Sequence, residues 1–482
     1  MKQNDLTDLL IEESQTVYSA LEKIDKNGKG LVFAVDSNGK LTGILTDGDV
    51  RRKLLKGINL KDPVLMAMNR EFIAVHEDDP VEEIWNSFGD KYRFIPLVDK
   101  TDKLIDYWAW DFFTRIPIAE PSLNGNEARY IYDCLSTNWI SSKGRYIEQF
   151  EEAFAIFCGT QYAITVMNGT ASLHLALVSL GVGPGDEVII PSLTFIATAN
   201  AVSYTGATPV FVDCDRGTWT ISPSEVEKAI TPHTKGMIPV HLYGQPCHMN
   251  ALEKIAKRYN LWIVEDAAEA LGARYQGKPV GSLGEIGCFS FFGNKIITTG
   301  EGGMLVTDDP EIAARARMLR DHGMSRDRKY WHPEIGFNYR MTNLQAALGL
   351  AQMERIEDIL KQRCRLTKDY QNRLSNAEGL IFQQVINYAE SICWMFSVVL
   401  DESKCPPDTR DRILQAMEKN HIECRPFFYP IYKMPPYYQK IRDPNTEYLS
   451  KNGLNLPSFL NISEQAIDRV CEVLLNVLYE VV

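Results

Sequence analysis

Residues 288 to 304 read CFSFFGNKIITTGEGGM and place Lys295 between an aromatic run and a loop of glycines. The apolar residues predict a buried strand, and the glycines predict a loop that can bend closely around a bound group. A flexible amine in such a loop is suited to condensation with an aldehyde. The stretch therefore predicts a site that holds an aldehyde through Lys295.

Pyridoxal phosphate is the common cofactor that brings an aldehyde, and it needs a phosphate site, a carboxylate and a flat surface. The phosphate site is predicted where an apolar strand ends at Asn168 and where Gly169, Thr170 and Ala171 open a helix. Free N–H groups and the helix dipole favour an anion at such a helix end. An ordinary capped helix is the alternative interpretation of these residues.

The carboxylate is predicted in LWIVEDAAEALGA, where a buried apolar strand ends in an acidic pair. Asp266 at that end could keep the pyridine nitrogen protonated, so that the ring accepts electrons when a proton leaves the substrate. Glu265 and Glu269 compete for the role. Glu269 is one helical turn further on, and we expect it near the cofactor phenolic oxygen or the substrate.

The flat surface is predicted at Phe195, which follows the apolar stretch EVIIPS, although most aromatic residues in such loops belong to the core. Ser290, on the strand that leads to Lys295, offers a hydroxyl group to the phosphate. Each of these signals is weak alone. Together they specify one cofactor.

The first hundred residues have a different pattern. LVFAVDSNGKLTGILTDGDVRRKLLKG predicts a strand, an Asn-Gly turn, a second strand and a helix from near Asp49 to Gly57. RFIPLVDKTDKLIDYWAWDFF repeats the pattern more weakly, with Asp99 matching Asp36. Alternating strands and amphipathic helices follow, so we predict two units, residues 1–115 and 116–482.

Length and charge limit the functional classes. A chain of 482 residues exceeds what one core usually supports. The formal net charge of -12 argues against broad binding to nucleic acid or to an anionic membrane. No leader pattern and no long apolar run are found, so a cytoplasmic protein is expected. The ten cysteines lack metal-ligand spacing, which predicts small core residues, a reducing compartment and no metal site.

The repeated unit resembles a pair of CBS domains over about residues 8 to 115. In that family an adenine nucleotide commonly binds between the halves, and the resemblance assigns its ribose and phosphate to Thr46 and Asp49. The matching positions of the second half, Ala109 and Phe112, lack those polar groups. Binding of an adenine or guanine nucleotide and a purely structural or dimerising role are both left open.

The larger unit resembles the DegT/DnrJ/EryC1/StrS family of sugar-nucleotide aminotransferases, through SFFGNKIITTGEGGM, VEDAAEALGA, MNGTASLHLAL and HLYGQPC. The resemblance implies the fold-type-I α/β fold, with a mostly parallel sheet, a small C-terminal α+β domain, and a homodimer or higher homo-oligomer with shared sites. It also implies that Lys295 binds pyridoxal 5'-phosphate covalently. Some relatives carry histidine there and act as dehydratases, so Lys295 favours transamination.

The other cofactor contacts are carried over from the same resemblance. Asp266 is expected at the pyridine nitrogen, Glu269 at the phenolic oxygen, and Phe195 stacked on the ring. The phosphate is expected to contact the first residues of the helix, Gly169, Thr170 and Ala171, together with Ser290. Asn338 of GFNYRMTN is expected to reach the site from a partner chain.

NWISSKGRYIEQFE, KYWHPEIGFNYRMTN, IECRPFFYP and LNLPS resemble members that transfer an amino group from glutamate to the 4-keto carbon of GDP-4-keto-6-deoxymannose. Tyr432 stands where such members often carry histidine. Cations and aromatic rings suit a sugar nucleotide, and a solvated charged loop and a packed aromatic strand are the alternative interpretations. The candidate substrate contacts are Trp139, Ser141, Arg328, Lys329, Trp331, His332, Arg425, Phe427 and Tyr429.

Two alternatives remain at this stage. A UDP- or dTDP-linked keto-sugar, another ring position or a cyclitol ketone could be the acceptor of the same chemistry. A protein of another class, a non-enzymatic nucleotide sensor built on this fold, is disfavoured because Lys295, Asp266 and the glycine loop are intact.

Overall fold

A computed structural model of the chain describes residues 6–76, 79, 94–109 and 115–481. The chain divides into two compact units, Met1–Arg115 and Ile116–Val482. Among the described residues, no helix is both long enough and apolar enough to cross a membrane. In the same part of the chain, no group of three potential ligands is arranged to hold a metal ion.

The small unit contains two sheets with the same strand order and pairing. In each sheet the first strand is parallel to the second, and the third is antiparallel to the second. The first sheet is β1, β2 and β3, and the second is β4, β5 and β6. The elements are β1 (Leu10–Glu12), α1 (Val17–Asn27), β2 (Leu31–Val35), β3 (Leu41–Thr46), α2 (Asp47–Leu54), α3 (Val64–Ala67), β4 (Val75–His76), β5 (Phe94–Val98) and β6 (Leu104–Ala109).

One repeated turn explains the matching aspartates of the two halves. The carboxylate of Asp36 accepts hydrogen bonds from the backbone N–H of Asn38 and Lys40, at 2.8 and 2.9 Å. The carboxylate of Asp99 does the same for Thr101 and Lys103, at 2.7 and 3.0 Å. The predicted repeat is therefore built into the hairpins of both halves.

The large unit is organised around a seven-stranded sheet of order β7-β15-β14-β11-β10-β8-β9. Only β15 runs against its neighbours, so the sheet is mostly parallel, and this confirms the predicted fold class. Its sheet strands and associated elements are α4 (Glu127–Ser136), α5 (Arg145–Cys158), β7 (Tyr162–Val166), α6 (Gly169–Ser179), β8 (Glu187–Pro191), α7 (Ala197–Tyr204), β9 (Thr208–Val212), α8 (Pro223–Ala229), β10 (Thr234–Met237), α9 (Met249–Tyr259), β11 (Trp262–Asp266), β12 (Arg274–Tyr275), β13 (Lys278–Pro279), β14 (Ile286–Ser290), β15 (Gly303–Thr307) and α10 (Pro310–Arg320).

A second, antiparallel sheet of order β16-β18-β20-β19 forms the C-terminal part of this unit. Three helices pack against this sheet through a separate apolar core. The elements are α11 (Asn343–Met353), α12 (Ile356–Leu374), β16 (Leu380–Phe382), β17 (Ala389–Glu390), β18 (Phe396–Leu400), α13 (Thr409–Lys419), β19 (Arg425–Pro426), α14 (Pro444–Asn452), β20 (Gly453–Leu456) and α15 (Glu464–Tyr479).

The chain enters the large unit beside this second sheet. Ile116 forms a parallel bridge with Ile422. Its N–H donates to the carbonyl oxygen of His421 at 2.8 Å, and its own carbonyl oxygen accepts from the N–H of Glu423 at 2.8 Å. The first residue of the unit is thus tied to the segment that leads into β19.

Candidate active site

A cavity of about 420 Å³ lies where several strands of the large sheet end. Strands β7, β8, β11 and β14 point the same way, so their carboxyl ends meet at one edge of the sheet, where ligands of such sheets bind. The predicted residues on the cavity surface are Gly169, Thr170, Phe195, Asp266, Glu269, Ser290, Lys295 and Arg425.

Lys295 reaches this cavity from the loop after β14. Its Nζ lies 3.9 Å from Oε1 of Glu269 and 3.8 Å from the centroid of the Trp394 ring. The Trp394 indole N–H donates to the carbonyl oxygen of Asn294 at 2.6 Å, which fixes the ring beside the lysine. Burial lowers the pKa of Lys295, although Glu269 and Asp266 oppose the shift. Burial thus shifts Lys295 in the direction of the neutral, nucleophilic amine.

Asp266 is the last residue of β11 and is buried. Its Oδ2 accepts a hydrogen bond from the Thr198 hydroxyl at 2.8 Å, and its Oδ1 accepts one from the N–H of Ala268 at 3.2 Å. Burial raises the pKa of Asp266, and these hydrogen bonds and Lys295 oppose the rise. The carboxylate is thus oriented, and a positive group beside it would stabilise its charged form.

The neighbouring acids have separate roles. Glu265 accepts from the N–H of Gly281, Leu283 and Gly284, and it pairs with His241 at 2.9 Å, so it belongs to the core. Glu269 lines the cavity. Of the three carboxylates considered for contact with the cofactor, only Asp266 and Glu269 therefore remain candidates.

The start of α6 forms one corner of the cavity. The side-chain oxygen of Asn168 accepts from the N–H of Ala171 at 2.8 Å, so that amide is already paired. Gly169 and Thr170 line the cavity, and their N–H groups lie in the helix turn that lacks intrahelical partners. A Cβ on Gly169 would lie 2.8 Å from Cβ of Ser290, which is too close. Ala171 is thus a capped helix residue, and the corner consists of Gly169, Thr170 and Ser290.

Aromatic rings form one side of the cavity. Phe195 packs at 5.8 Å from Phe428, and both line the cavity. The prediction for Phe427 needs correction: it is 1% exposed and packs against Trp219 and Tyr243. Strand alternation would put Phe427 on the face of Arg425, but β19 ends at Pro426 and the alternation ends with it.

The remaining predicted substrate and partner-chain contacts do not line the cavity of this chain. Ser325 N–H donates to the carbonyl oxygen of Trp331, and His332 Nδ1 lies 2.9 Å from the carbonyl oxygen of His322. These contacts hold an exposed loop together. Roles in an assembly of two chains stay predictions for Trp139, Ser141, Arg328, Lys329, Trp331, His332, Asn338 and Tyr429.

Tyr432, at the position where the resemblance leads us to expect histidine, is a core residue. It is 1% exposed, and its hydroxyl donates to Oε1 of Glu447 at 3.0 Å and accepts from the N–H of Asp443 at 3.3 Å. The difference at this position therefore changes internal packing and does not place a new side chain in the cavity.

In the small unit, Thr46 and Asp49 form a helix cap. The Thr46 hydroxyl donates to Oδ2 of Asp49 at 2.7 Å, and Oδ1 of Asp49 accepts from Arg52 at 2.7 Å. The two side chains predicted to hold a nucleotide thus bond to each other. Of the matching pair in the second half, Phe112 lies outside the described residues.

Sequence reasoning missed Trp394, Thr198 and Asn343. Asn343 is buried; its side chain donates to the carbonyl oxygen of Trp139 at 2.7 Å and accepts from the N–H of Tyr146 at 3.1 Å. Gly144 passes so close that an added Cβ would meet this side chain at 2.3 Å. The Gly after NWISSK was the only signal in the sequence for this contact.

Burial raises the pKa of Glu269 from 4.5 to about 7. The folded protein therefore holds a proton there that the unfolded chain has released, and stability falls as pH rises between these two values. We expect urea denaturation to show that wild type loses up to about 3 kcal/mol relative to Glu269→Gln between about pH 4.5 and pH 8.

The exposed Glu472 provides the control, since Glu472→Gln should follow wild type across this range. Parallel pH curves for wild type and Glu269→Gln would contradict the raised pKa.

Known proteins share the sequence patterns of both units. The model of the DegT/DnrJ/EryC1/StrS aminotransferase family matches residues 121–475, and the CBS domain model matches residues 6–56 and 61–107. GDP-perosamine synthase of Caulobacter vibrioides is 50% identical over 367 residues, which are 76% of this chain and 98% of the relative. The enzyme of that name from Escherichia coli O157:H7 is 46% identical over 361 residues, or 74% of this chain and 97% of the relative.

Among solved structures, DesV of S. venezuelae is 35% identical with a TM-score of 0.71, over 76% of this chain and 99% of that one. The fold and the lysine cavity define an aminotransferase. The chain belongs to the DegT/DnrJ/EryC1/StrS aminotransferase family, with CBS domains preceding the catalytic unit.

Proposed function

We propose that the protein uses pyridoxal 5'-phosphate to transfer an amino group from glutamate to the 4-keto carbon of GDP-4-keto-6-deoxymannose. The observation that carries the proposal is the placement of Lys295 beside Glu269 and Asp266 in a cavity closed at one corner by the start of α6. The nucleotide and the sugar are proposed from the 50% identity to a relative named GDP-perosamine synthase.

The residues present fit the cofactor. Gly169, Thr170 and Ser290 would hold its phosphate, and the missing Cβ of Gly169 leaves its backbone accessible. Asp266 would hold the ring nitrogen in its protonated form, and Phe195 would cover one face of the ring. When bound, the cofactor supplies an aldehyde for amines and a ring that accepts electrons as a proton leaves the substrate carbon.

Lys295 is the group that moves the proton. Its amine is buried, and burial lowers its pKa, which favours the unprotonated form that can act as a base. Trp394 on one side and Glu269 on the other limit the space in which Nζ can move. The same lysine would take a proton from glutamate in one half of the reaction and return one to the sugar carbon in the other.

The overall exchange balances without a further reductant. Glutamate gives up its amino group and leaves as 2-oxoglutarate, and the carbonyl carbon of the sugar gains that amino group. The chain orients both substrates in turn in one cavity, which predicts ping-pong kinetics.

The test is an assay of purified protein with glutamate and a panel of GDP-, UDP- and dTDP-linked keto-sugars, following 2-oxoglutarate release and product mass. The proposal predicts the highest kcat/KM with GDP-4-keto-6-deoxymannose. Preference for a UDP- or dTDP-linked sugar would leave the proposed aminotransferase reaction intact and would contradict the proposed GDP-linked substrate. If the purified protein showed neither cofactor absorbance nor turnover, the alternative of a non-enzymatic nucleotide sensor would be favoured.

We propose in addition that the small unit binds an adenine or guanine nucleotide through Thr46 and Asp49. Support comes from the match to two CBS domains and from the two similar sheets. Calorimetric titration with AMP, ATP and GTP should give heat for at least one nucleotide in wild type, and Asp49→Ala should weaken binding about tenfold or more. Lack of heat for all three would leave a structural role.

A further inference from the structure

The glycine loop after Lys295 fixes the backbone of one further acidic residue, Glu301. Its carbonyl oxygen accepts from the Thr299 hydroxyl at 2.6 Å and from the side-chain amide of Gln345 at 2.7 Å. Gly300, with φ of 80°, sets the direction in which the chain turns before it. Two donors therefore hold a backbone carbonyl at the exposed turn of the loop, which Gly300 and Glu301 form.

Gln345, which donates to the carbonyl oxygen of Glu301, is itself held in the first turn of α11. The side-chain oxygen of Gln345 accepts from the N–H and from the hydroxyl of Thr342, at 2.9 and 2.8 Å. This reciprocal cap leaves the Gln345 amide free to donate to Glu301. The position of Glu301 is thus set by a helix terminus, and the loop alone does not determine it.

Glu301 lines the cavity that contains Lys295, and it is exposed. Within the described part of the chain, no hydrogen bond or ion pair to its carboxylate is found. The two basic side chains on the cavity surface already have carboxylate neighbours, since Lys295 lies near Glu269 and Arg425 pairs with Glu423. Glu301 is therefore an accessible acceptor on a fixed backbone.

Its charge decides what it can bind. A carboxylate repels the phosphate groups and the carboxylates of glutamate, and these anions are better served by α6 and by the cations of the cavity. A hydroxyl group of a sugar ring is a neutral donor, and a charged acceptor forms its stronger hydrogen bonds with such donors. The acceptor substrate therefore suits Glu301, and the amino donor does not.

We propose that Glu301 is a specificity-determining residue that accepts a hydrogen bond from a ring hydroxyl group of the keto-sugar. The inference rests on the proposed function. Glu301 would then favour keto-sugars that carry this hydroxyl group over those that lack it.

The test separates the two halves of the reaction. In ping-pong kinetics, kcat/KM for glutamate reports only the first half and kcat/KM for the keto-sugar only the second. Glu301→Ala should lower kcat/KM for the keto-sugar about 10- to 100-fold, the effect of one charged hydrogen bond. Glu301→Gln should lower it less, because the amide oxygen still accepts, and the value for glutamate should change by less than the value for the sugar in both variants.

A deoxy keto-sugar that lacks the hydroxyl should be a poor substrate of wild type and equally poor for Glu301→Ala. Calorimetry with the aminated product should show the same order of affinities. Glu311 lies exposed on α10, and Glu311→Gln controls for the loss of charge.

The outcomes are distinct. Normal sugar kinetics in Glu301→Ala, beside an active wild type, overturn this inference and leave the proposed function intact. Equal losses in both halves, or a changed oligomeric state, would assign Glu301 to loop structure or to contact with a second chain and would also overturn it. Inactivity of wild type with every keto-sugar overturns both proposals.

Discussion

Lys295→Ala is expected to remove the visible absorbance of bound cofactor and to lower turnover by at least about 10³-fold, while the protein remains folded. The amine is the only lysine on the cavity surface among the described residues, and both Glu269 and Trp394 lie within 4 Å of it. Glu269 is not expected to replace the proposed covalent role of Lys295, because a carboxylate cannot condense with an aldehyde, and its Oε2 already accepts from the N–H of Tyr243 at 2.9 Å.

The matched control is Lys235→Ala, since Lys235 is a solvent-exposed lysine of β10. Its spectrum and turnover should equal those of wild type. Far-ultraviolet circular dichroism should show that both variants fold. A Lys295→Ala protein with the wild-type spectrum would refute the role of this residue and the proposed chemistry with it.

Asp266→Asn is the second substitution that we expect to lower turnover strongly. The amide keeps the size of the side chain and can still accept from Thr198, but it carries no charge to hold a protonated ring nitrogen. We expect turnover to fall about 10²- to 10³-fold, in the range for removal of one preorganised electrostatic contact. Cofactor affinity should weaken in the same variant, measured by titration of the absorbance.

Thr198→Ala tests whether Asp266 acts by charge or only by position. It removes one hydrogen bond and leaves the charge, so its loss should be about tenfold or less. If Thr198→Ala and Asp266→Asn reduced turnover equally, the charge of Asp266 would have no special part in the reaction.

The residues that gather around Lys295 could be predicted because each follows an apolar strand. In a mostly parallel sheet, Asn168, Phe195, Asp266 and Ser290 reach one edge whatever the lengths of the connections between them. The pattern of buried strands was therefore sufficient to bring these residues together.

Trp394 and Asn343 could not be predicted in this way. Trp394 comes from the segment before β18 and meets Lys295 only through packing of the C-terminal part against the large sheet. Asn343 forms its contacts across about 200 residues of sequence, and nothing in the local pattern distinguishes it from an ordinary first helical residue. Phe427 was misplaced because residue type alone does not separate an aromatic ring that faces the cavity from one packed in the core against Trp219 and Tyr243.

The bridge between Ile116 and Ile422 determines where the two units can be separated. Ile116 supplies backbone partners to His421 and Glu423, and the N–H of Ile118 donates to Oε2 of Glu423 at 3.4 Å. Two residues later the chain reaches Arg425 on the cavity. A catalytic unit cut before Ile116 keeps these partners, whereas one cut after Ile118 exposes the edge of the segment that positions Arg425. The start of the catalytic unit thus supports the segment that leads to Arg425.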